Sequence, residues 1–472
     1  MRSFLDLDLI PAIILWKSGH YYFVIDGAHR LSALMAWIQD DYGDRKQSAD
    51  FFGGHVSDEQ KRIAEQTRRL VNKTVGGSYA EYAAHASNPS TAPEKLRARI
   101  GNLGVNSLVA QWVPATDAAT AENSFFKINQ AATPIDPTER RILRARKSAS
   151  AISARAISHA GTGHKYWSTF DESVGEKIEE LGARIYRALY EPPLGGKPLT
   201  TLDVPVAGKG YSALPFVFDL VNYTNGVDIV DTTAKAAAVH DQLPADPDGQ
   251  ETLAYLSKVY KRVSRITTDV PASLGLHPVV YFYTKSGNFQ PTFFLATCLF
   301  VEALALGKRL DPFTTVRRKF EDYIIDNKEH LSLITHKFGS GGRSLPWLLR
   351  YFEIVLAAQQ TGKSAEELLE EFAADRNFAV LTLPRTSEEE GSTAGKPFSS
   401  GTKTAAFFAN ALRTGTRCAI CDALVHKNSM QFDHIERKSD GGHSRAENAQ
   451  VAHPYCNSTY KENQIKRSGA LA

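Results

Sequence analysis

A chain of 472 residues is longer than one hydrophobic core usually organises, so a modular protein of about two to four domains is expected. A formal net charge of +3 excludes a global positive field as the means of holding nucleic acid, and any such contact must come from local patches. Four cysteines exclude a disulfide framework, and with Asp6 and Asp8 breaking any leader core and no apolar run of membrane-spanning length, a cytoplasmic protein with no membrane partner is expected.

Two short runs rich in β-branched and aromatic residues, Ile10 to Trp16 and Tyr21 to Ile25, are split by Lys17-Ser18-Gly19-His20 and predict a hairpin. The second run ends in Asp26-Gly27-Ala28-His29-Arg30, after which Leu31, Leu34, Met35 and Ile38 recur at helical spacing. A strand that turns through glycine into a helix can aim N–H groups at a phosphate, with Asp26 as a hard ligand and Arg30 as a phosphate fork. The same residues are equally a capped turn with Arg30 in solvent.

The stretch Ile25-Asp26-Gly27-Ala28-His29-Arg30 resembles the Asp-Gly-Gln-x-Arg signature of the ParB/sulfiredoxin-like domain of GmrSD-type restriction systems, with Ala28 in place of the usual Gln. Phe125-Phe126-Lys127-Ile128-Asn129, followed by Thr133-Pro134, resembles that family's second signature. The resemblance implies an α/β domain over residues 1–134, apparently truncated at its start. It also implies nucleotide-binding roles for Asp26, Gly27, His29, Arg30, Asn129 and Thr133, with a nucleoside triphosphate as ligand or modified DNA as the signal sensed.

Ser57-Asp58-Glu59-Gln60 is a capping box opening a helix to about Val71, on which Arg68, Arg69 and Lys73 read as a solvated face. Asp136-Pro137-Thr138-Glu139 starts a helix expected to reach about Ser158. Arg140, Arg144 and Lys147 share one stripe there, flanked by Arg141 and Arg155, and read as solvated charge or as a DNA-backbone track. Residues 135–385 form a mainly helical domain, with Leu253, Leu256, Tyr260 and Val263 on one face, an apolar central helix over Phe293 to Leu306 that buries Cys298, and a capping box at Ser364. Gly339 to Ser344 lacks the lysine and preceding strand of a phosphate loop and reads as a turn. Residues 386–403 are rich in Ser, Thr, Gly and charge and read as a flexible linker, beyond which Phe407, Phe408 and Leu412 predict a short helix.

The last stretch carries the chemistry. Cys418-Ala-Ile-Cys421 and His453-Pro-Tyr-Cys456 each place two soft ligands on one tight turn, and together they complete a tetrahedron for structural Zn2+. Between and beside them stand Asp433-His434, Gly441-Gly442, Asn448 and Asn457. Phosphodiester hydrolysis needs a base to activate water and a cation at the phosphate, which suits a neutral imidazole beside a hard oxygen ligand. His434 is then the base, Asp433 and Asn457 the ligands of a catalytic Mg2+ or Mn2+, and Asn448 the pin of the loop that orients His434. His426 and His443 fall outside this pattern and read as solvated loop histidines.

This order resembles the ββα-metal HNH endonucleases, in the branch whose last letter is Asn, over residues 404–472, and implies the same roles residue by residue. Two departures stand out: His453 replaces a usual cysteine, and the usual lysine after the motif arrives one position late as Lys461. The expected fold class is α+β and multidomain. The expected function is a metal-dependent DNA endonuclease with an N-terminal sensing domain, in anti-phage or modification-dependent restriction, acting on DNA that includes modified phage DNA. The rival readings are a non-catalytic zinc-containing regulator that binds nucleic acid, and a resolvase of branched DNA.

Overall fold

β-Branched and aromatic side chains draw Ile13–Ser18 (β1) and Tyr21–Asp26 (β2) into the expected antiparallel hairpin, with Trp16 opposite Phe23 and a bulge between Ile14 and Leu15. The computed structural model describes residues 1–18, 20–51, 56, 58–114, 141–142, 145–162, 166–194, 196–208, 213–227, 243–339, 341–382 and 397–469. It is mostly helical, with two small sheets, and divides into two units, Met1–Arg140 and Arg141–Ala472. No described helix is long and apolar enough to cross a membrane.

In the first unit a strand absent from the sequence expectation, Ala110–Trp112 (β3), lies parallel to β1. Parallel neighbours need a crossover, and helices Ala28–Gln39 (α1), Asp58–Val75 (α2) and Glu94–Val105 (α3) supply it. Leu5, Trp37, Tyr82 and Ile100 form the core beneath them. Arg68 corrects the reading of α2 as a solvated basic face: it is only 8 % exposed, and its guanidinium bonds Asp40, Asp44 and Glu65, each at 2.7 Å. Three carboxylates around one buried cation are a staple between helix and loop. The second signature, with Asn129 and Thr133, and the start of the helix expected from Asp136 lie outside the described residues.

In the second unit the expected long helix does not reach Ser158 unbroken. Ser148 takes the Ala151 N–H at 3.3 Å and caps a new helix, Ala149–Ser158 (α4). The flanking arginines are not in solvent: Arg141 lies over the Phe218 ring and 3.7 Å from Asp219, and Arg155 lies 4.4 Å from the Tyr166 ring centre, both under one tenth exposed. Flat guanidinium faces explain why these charges are buried against rings, which removes both from any DNA track.

Helices Glu172–Tyr190 (α5), Ala213–Asn225 (α6) and Gln250–Ile266 (α7) pack with α4, and Leu256 and Val263 of α7 are fully buried. Pro291–Leu306 (α8) is the expected central helix, apolar over most of its surface, with Cys298 buried. Leu310–Asp326 (α9) and Leu345–Thr361 (α10) close around it, and both bonds of the Ser364 capping box are present.

The stretch read as a linker ends early. Ser399 caps Ser400–Thr414 (α11), Thr404 accepts the Leu199 N–H at 2.9 Å, and Phe408 and Leu412 join the main core. Residues spaced by four put Thr404, Phe408 and Leu412 on one stripe, so α11 is bound to the helical body. Residues 386–396 lie outside the described residues.

Candidate active site and metal centre

Gln431–His434 (β4) and Ala449–Ala452 (β5) pair antiparallel, and Lys461–Gly469 (α12) follows. The ligand atoms of Cys418, Cys421, His453 and Cys456 lie within 4.8 Å of one another. His453 Nε2 lies 3.0 Å from the Leu424 carbonyl oxygen, to which it donates, leaving the Nδ1 lone pair on the sulfur side, 3.4 Å from Cys421 Sγ. Burial, then the charge of Arg317, holds the His453 imidazole neutral by lowering its pKa, which is the form a metal requires. S–H groups of Cys421 and Cys456 drive the Cys418 thiol strongly toward thiolate, while bonding to Cys418 pushes Cys421 up to about 12 and Cys456 higher still. Sulfurs this close cannot all ionise without a cation among them, and the donor set fits Zn2+, which would deprotonate all three.

The helical body reaches into this cluster. Gly275, at φ +61°, passes so close that a Cβ there would come 2.7 Å from the His453 ring and 2.9 Å from Ser429. Tyr455 donates its N–H to Ser273 and its hydroxyl to Asp311 at 2.7 Å. His426 corrects the reading of a solvated loop histidine: it is 1 % exposed, caps the Lys427–Ser429 turn and meets His277 edge to face, and burial lowers its pKa to about 4. His443 is exposed, as read.

The inner residues gather on the hairpin and the helix behind it. Asp433 Oδ2 accepts from Gln450 Nε2 and from Lys461 Nζ, each at 2.8 Å. Asn457 donates to Gln431 Oε1 at 2.9 Å, which turns its own amide oxygen away from that bond. Gln431 and Asp433 share a face of β4, so Asn457 and Lys461 reach one face of one strand. Asp433 Oδ1, Asn457 Oδ1 and the His434 ring have no hydrogen-bond partner among the described residues. Two hard oxygens on that face fit a hydrated Mg2+ or Mn2+, and the unengaged imidazole next to Asp433 in the chain has the chemistry of a base. Asn448, 5 % exposed, accepts from Glu436 N at 2.7 Å and donates to Glu436 O at 3.0 Å and His443 O at 2.7 Å, closing the loop between the strands.

The late lysine has a structural cause. Cys456–Tyr460 is a π-helical turn in which Lys461 N–H bonds the Cys456 carbonyl, and the wider turn absorbs one extra residue. Lys461 therefore bonds Asp433 and the His434 carbonyl, at 2.7 Å, a more central place than a phosphate contact at the rim. Gln431, Gln450, Arg317 and Gly275 were not singled out in the sequence; cross-strand register and the approach of a distant loop leave no local motif.

At the N-terminal turn, Gly27 takes φ +92° as α1 begins, and Arg30 bonds Asp26 at 2.7 Å and the Pro11 carbonyl. His29 is exposed. Arg30 is thus a staple across its own turn.

A strand pair, a following helix and a three-cysteine, one-histidine cluster that could hold a metal define a small ββα module. Residues 418–463 match a family model described as HNH endonuclease. No curated protein and no solved structure matches the chain. The C-terminal region is an HNH endonuclease domain with a metal-binding cluster, and this class of domain implies DNA as substrate.

Proposed function

We propose that the protein is a metal-dependent DNA endonuclease that hydrolyses phosphodiester bonds at a site built from Asp433, His434 and Asn457. The observation that carries this reading is the pair of hard oxygens without hydrogen-bond partners among the described residues, with an unengaged imidazole next to Asp433 in the chain, each held by its own support: Gln450 and Lys461 for Asp433, Gln431 for Asn457, and the loop pinned by Asn448 for His434. A purely structural zinc clamp needs none of these supports.

In the proposed mechanism Asp433 and Asn457 would hold Mg2+ or Mn2+, which would supply positive charge at the scissile phosphate and the leaving oxygen. His434 takes a proton from the attacking water at a ring nitrogen. Lys461 fixes the Asp433 carboxylate and adds positive charge near the phosphate. The zinc cluster sets where the helix carrying Asn457 begins, because Cys456 is the preceding residue.

The N-terminal unit is proposed to sense a nucleotide or modified DNA, and restriction of foreign DNA is the setting its sequence resemblance supplies. Because Asp26 and Arg30 hold each other, a phosphate there would have to draw Arg30 away from Asp26. The test is incubation of purified protein with supercoiled plasmid and with modified phage DNA, with Mg2+ or Mn2+, with and without nucleoside triphosphates. Metal-dependent nicking is expected, and complete inertness in every arm would overturn the nuclease reading.

A further inference from the structure

A run of positive charge in the second unit lies outside the nuclease hairpin, on α7. Lys258, Lys261 and Arg265 recur at helical spacing; both lysines are exposed, Arg265 is half-buried, and none has an ion-pair partner among the described residues. They line a cleft of about 400 Å³ whose other wall is α8, with Val301, Ala305 and Leu306. The one acidic residue lining the cleft, Glu302, is paired with Arg262, so three cations are left over an apolar floor.

Two bonded connections tie the elements of this cleft to the nuclease hairpin and its helix. Four residues beyond Arg265, the Asp269 carbonyl accepts from Gln431 Nε2 at 2.7 Å, and Gln431 in turn holds Asn457. At the other end Leu310 lines the cleft, and its neighbour Asp311 holds α12 through Asn463 at 3.1 Å and Arg467 at 2.9 Å. Exposed Lys308 and Lys466 stand near the same junction. Lys258 to Arg265 spans about 10 Å of helix axis, the length over which one DNA strand presents about three phosphates.

We propose that the α7 cleft is the track for the phosphate backbone of DNA flanking the bond cut at the HNH face. This rests on the nuclease reading for the position of the cut, but the track itself is tested by binding. The small charge of the whole chain makes a local patch necessary for a DNA enzyme, and this one borders the site through α7 and α12. Phosphates would sit on the cations while deoxyribose edges face Ala305 and Leu306.

The experiment compares the full-length protein with the triple variant Lys258→Gln, Lys261→Gln, Arg265→Gln, and with Lys177→Gln on the exposed face of α5 as a charge control. Binding of a fluorescent duplex is followed by anisotropy across a salt series, and bis(p-nitrophenyl) phosphate, too small to span to α7, is the second substrate. The triple variant is expected to lose about 10- to 100-fold in affinity at low salt, with a log–log salt slope flatter by about 2 to 3. Hydrolysis of the small diester is expected to be unchanged, and Lys177→Gln to bind as the parent does. Parental affinity and slope in the triple variant would overturn the track, as would an equal loss per charge in Lys177→Gln. If the parent binds DNA through these residues but hydrolyses neither substrate, the track stands and the nuclease reading fails.

Discussion

Arg317 of α9 places its guanidinium 3.4 Å from Nδ1 of His453, so a fully buried cation of the helical body lies against a candidate zinc ligand. The same side chain bonds Glu321 at 2.7 Å and the carbonyls of Leu274 and Gly275. Zinc with three thiolates would carry one net negative charge, and Arg317, whose own charge is matched by Glu321, is the cation that lies against it.

Removing this cation leaves Glu321 buried without its partner. Arg317→Met is expected to destabilise the second unit by about 3–5 kcal/mol. Denaturant unfolding with zinc stoichiometry reads the effect, and adding Glu321→Gln should restore part of the loss. Unchanged stability in Arg317→Met would show that the pair is not the link between body and cluster.

His434→Ala is expected to abolish nicking while zinc content and circular dichroism stay as in the parent. The ring has no structural hydrogen bond among the described residues, so its loss should not be felt in folding. Full activity would remove His434 from the role of base.

Asn448→Ala removes three hydrogen bonds that close the hairpin loop. At about 1 kcal/mol each, a local cost of about 2–3 kcal/mol is expected, with nicking reduced at least about tenfold. Gly442→Ala should act similarly, because its Cβ would come 1.9 Å from the Glu436 carbonyl oxygen. Normal rates in both variants would mean that the loop does not orient the site.

Cys456→Ser should release zinc and unfold the C-terminal module, since its own cluster of buried apolar residues is little more than Cys418, Val425, Ala452 and Cys456. The isolated fragment 397–472 is expected to lack a cooperative unfolding transition even with zinc, because Phe408, Leu412, Leu424 and Tyr455 belong to the core of the body. A folded, zinc-loaded fragment with parental nicking would show that the body is dispensable to the site.

Acid should weaken the second unit. Burial lowers His330 and His426 to about 4 and holds His277 well below the usual imidazole range, so the unfolded chain binds protons first as pH falls. Their neutral burial costs nothing above about pH 6.5, and stability is lost progressively toward pH 4, by roughly 3 kcal/mol for each of the first two. Urea midpoints measured from pH 7.5 to 4.5 should fall, and fall less in His330→Gln. An unchanged midpoint at pH 5 would contradict this.

The N-terminal hairpin and its glycine turn, the central apolar helix, the Ser364 cap and the metal-ligand quartet were legible in the sequence, because each rests on local spacing: alternation, helical period, or two ligands on one turn. What β3 pairs with, the burial of Arg68, Arg141, Arg155 and His426, and the docking of α11 were decided only by tertiary structure. Charged and polar side chains look solvated in sequence until distant carboxylates, rings or carbonyls are brought to meet them. The same holds at the site. Asp433, His434 and Asn457 are named by their motif, but Gln450 reaches Asp433 only through cross-strand register, Lys461 only through a π turn, and Arg317 meets His453 only because two segments far apart in the chain fold against one another.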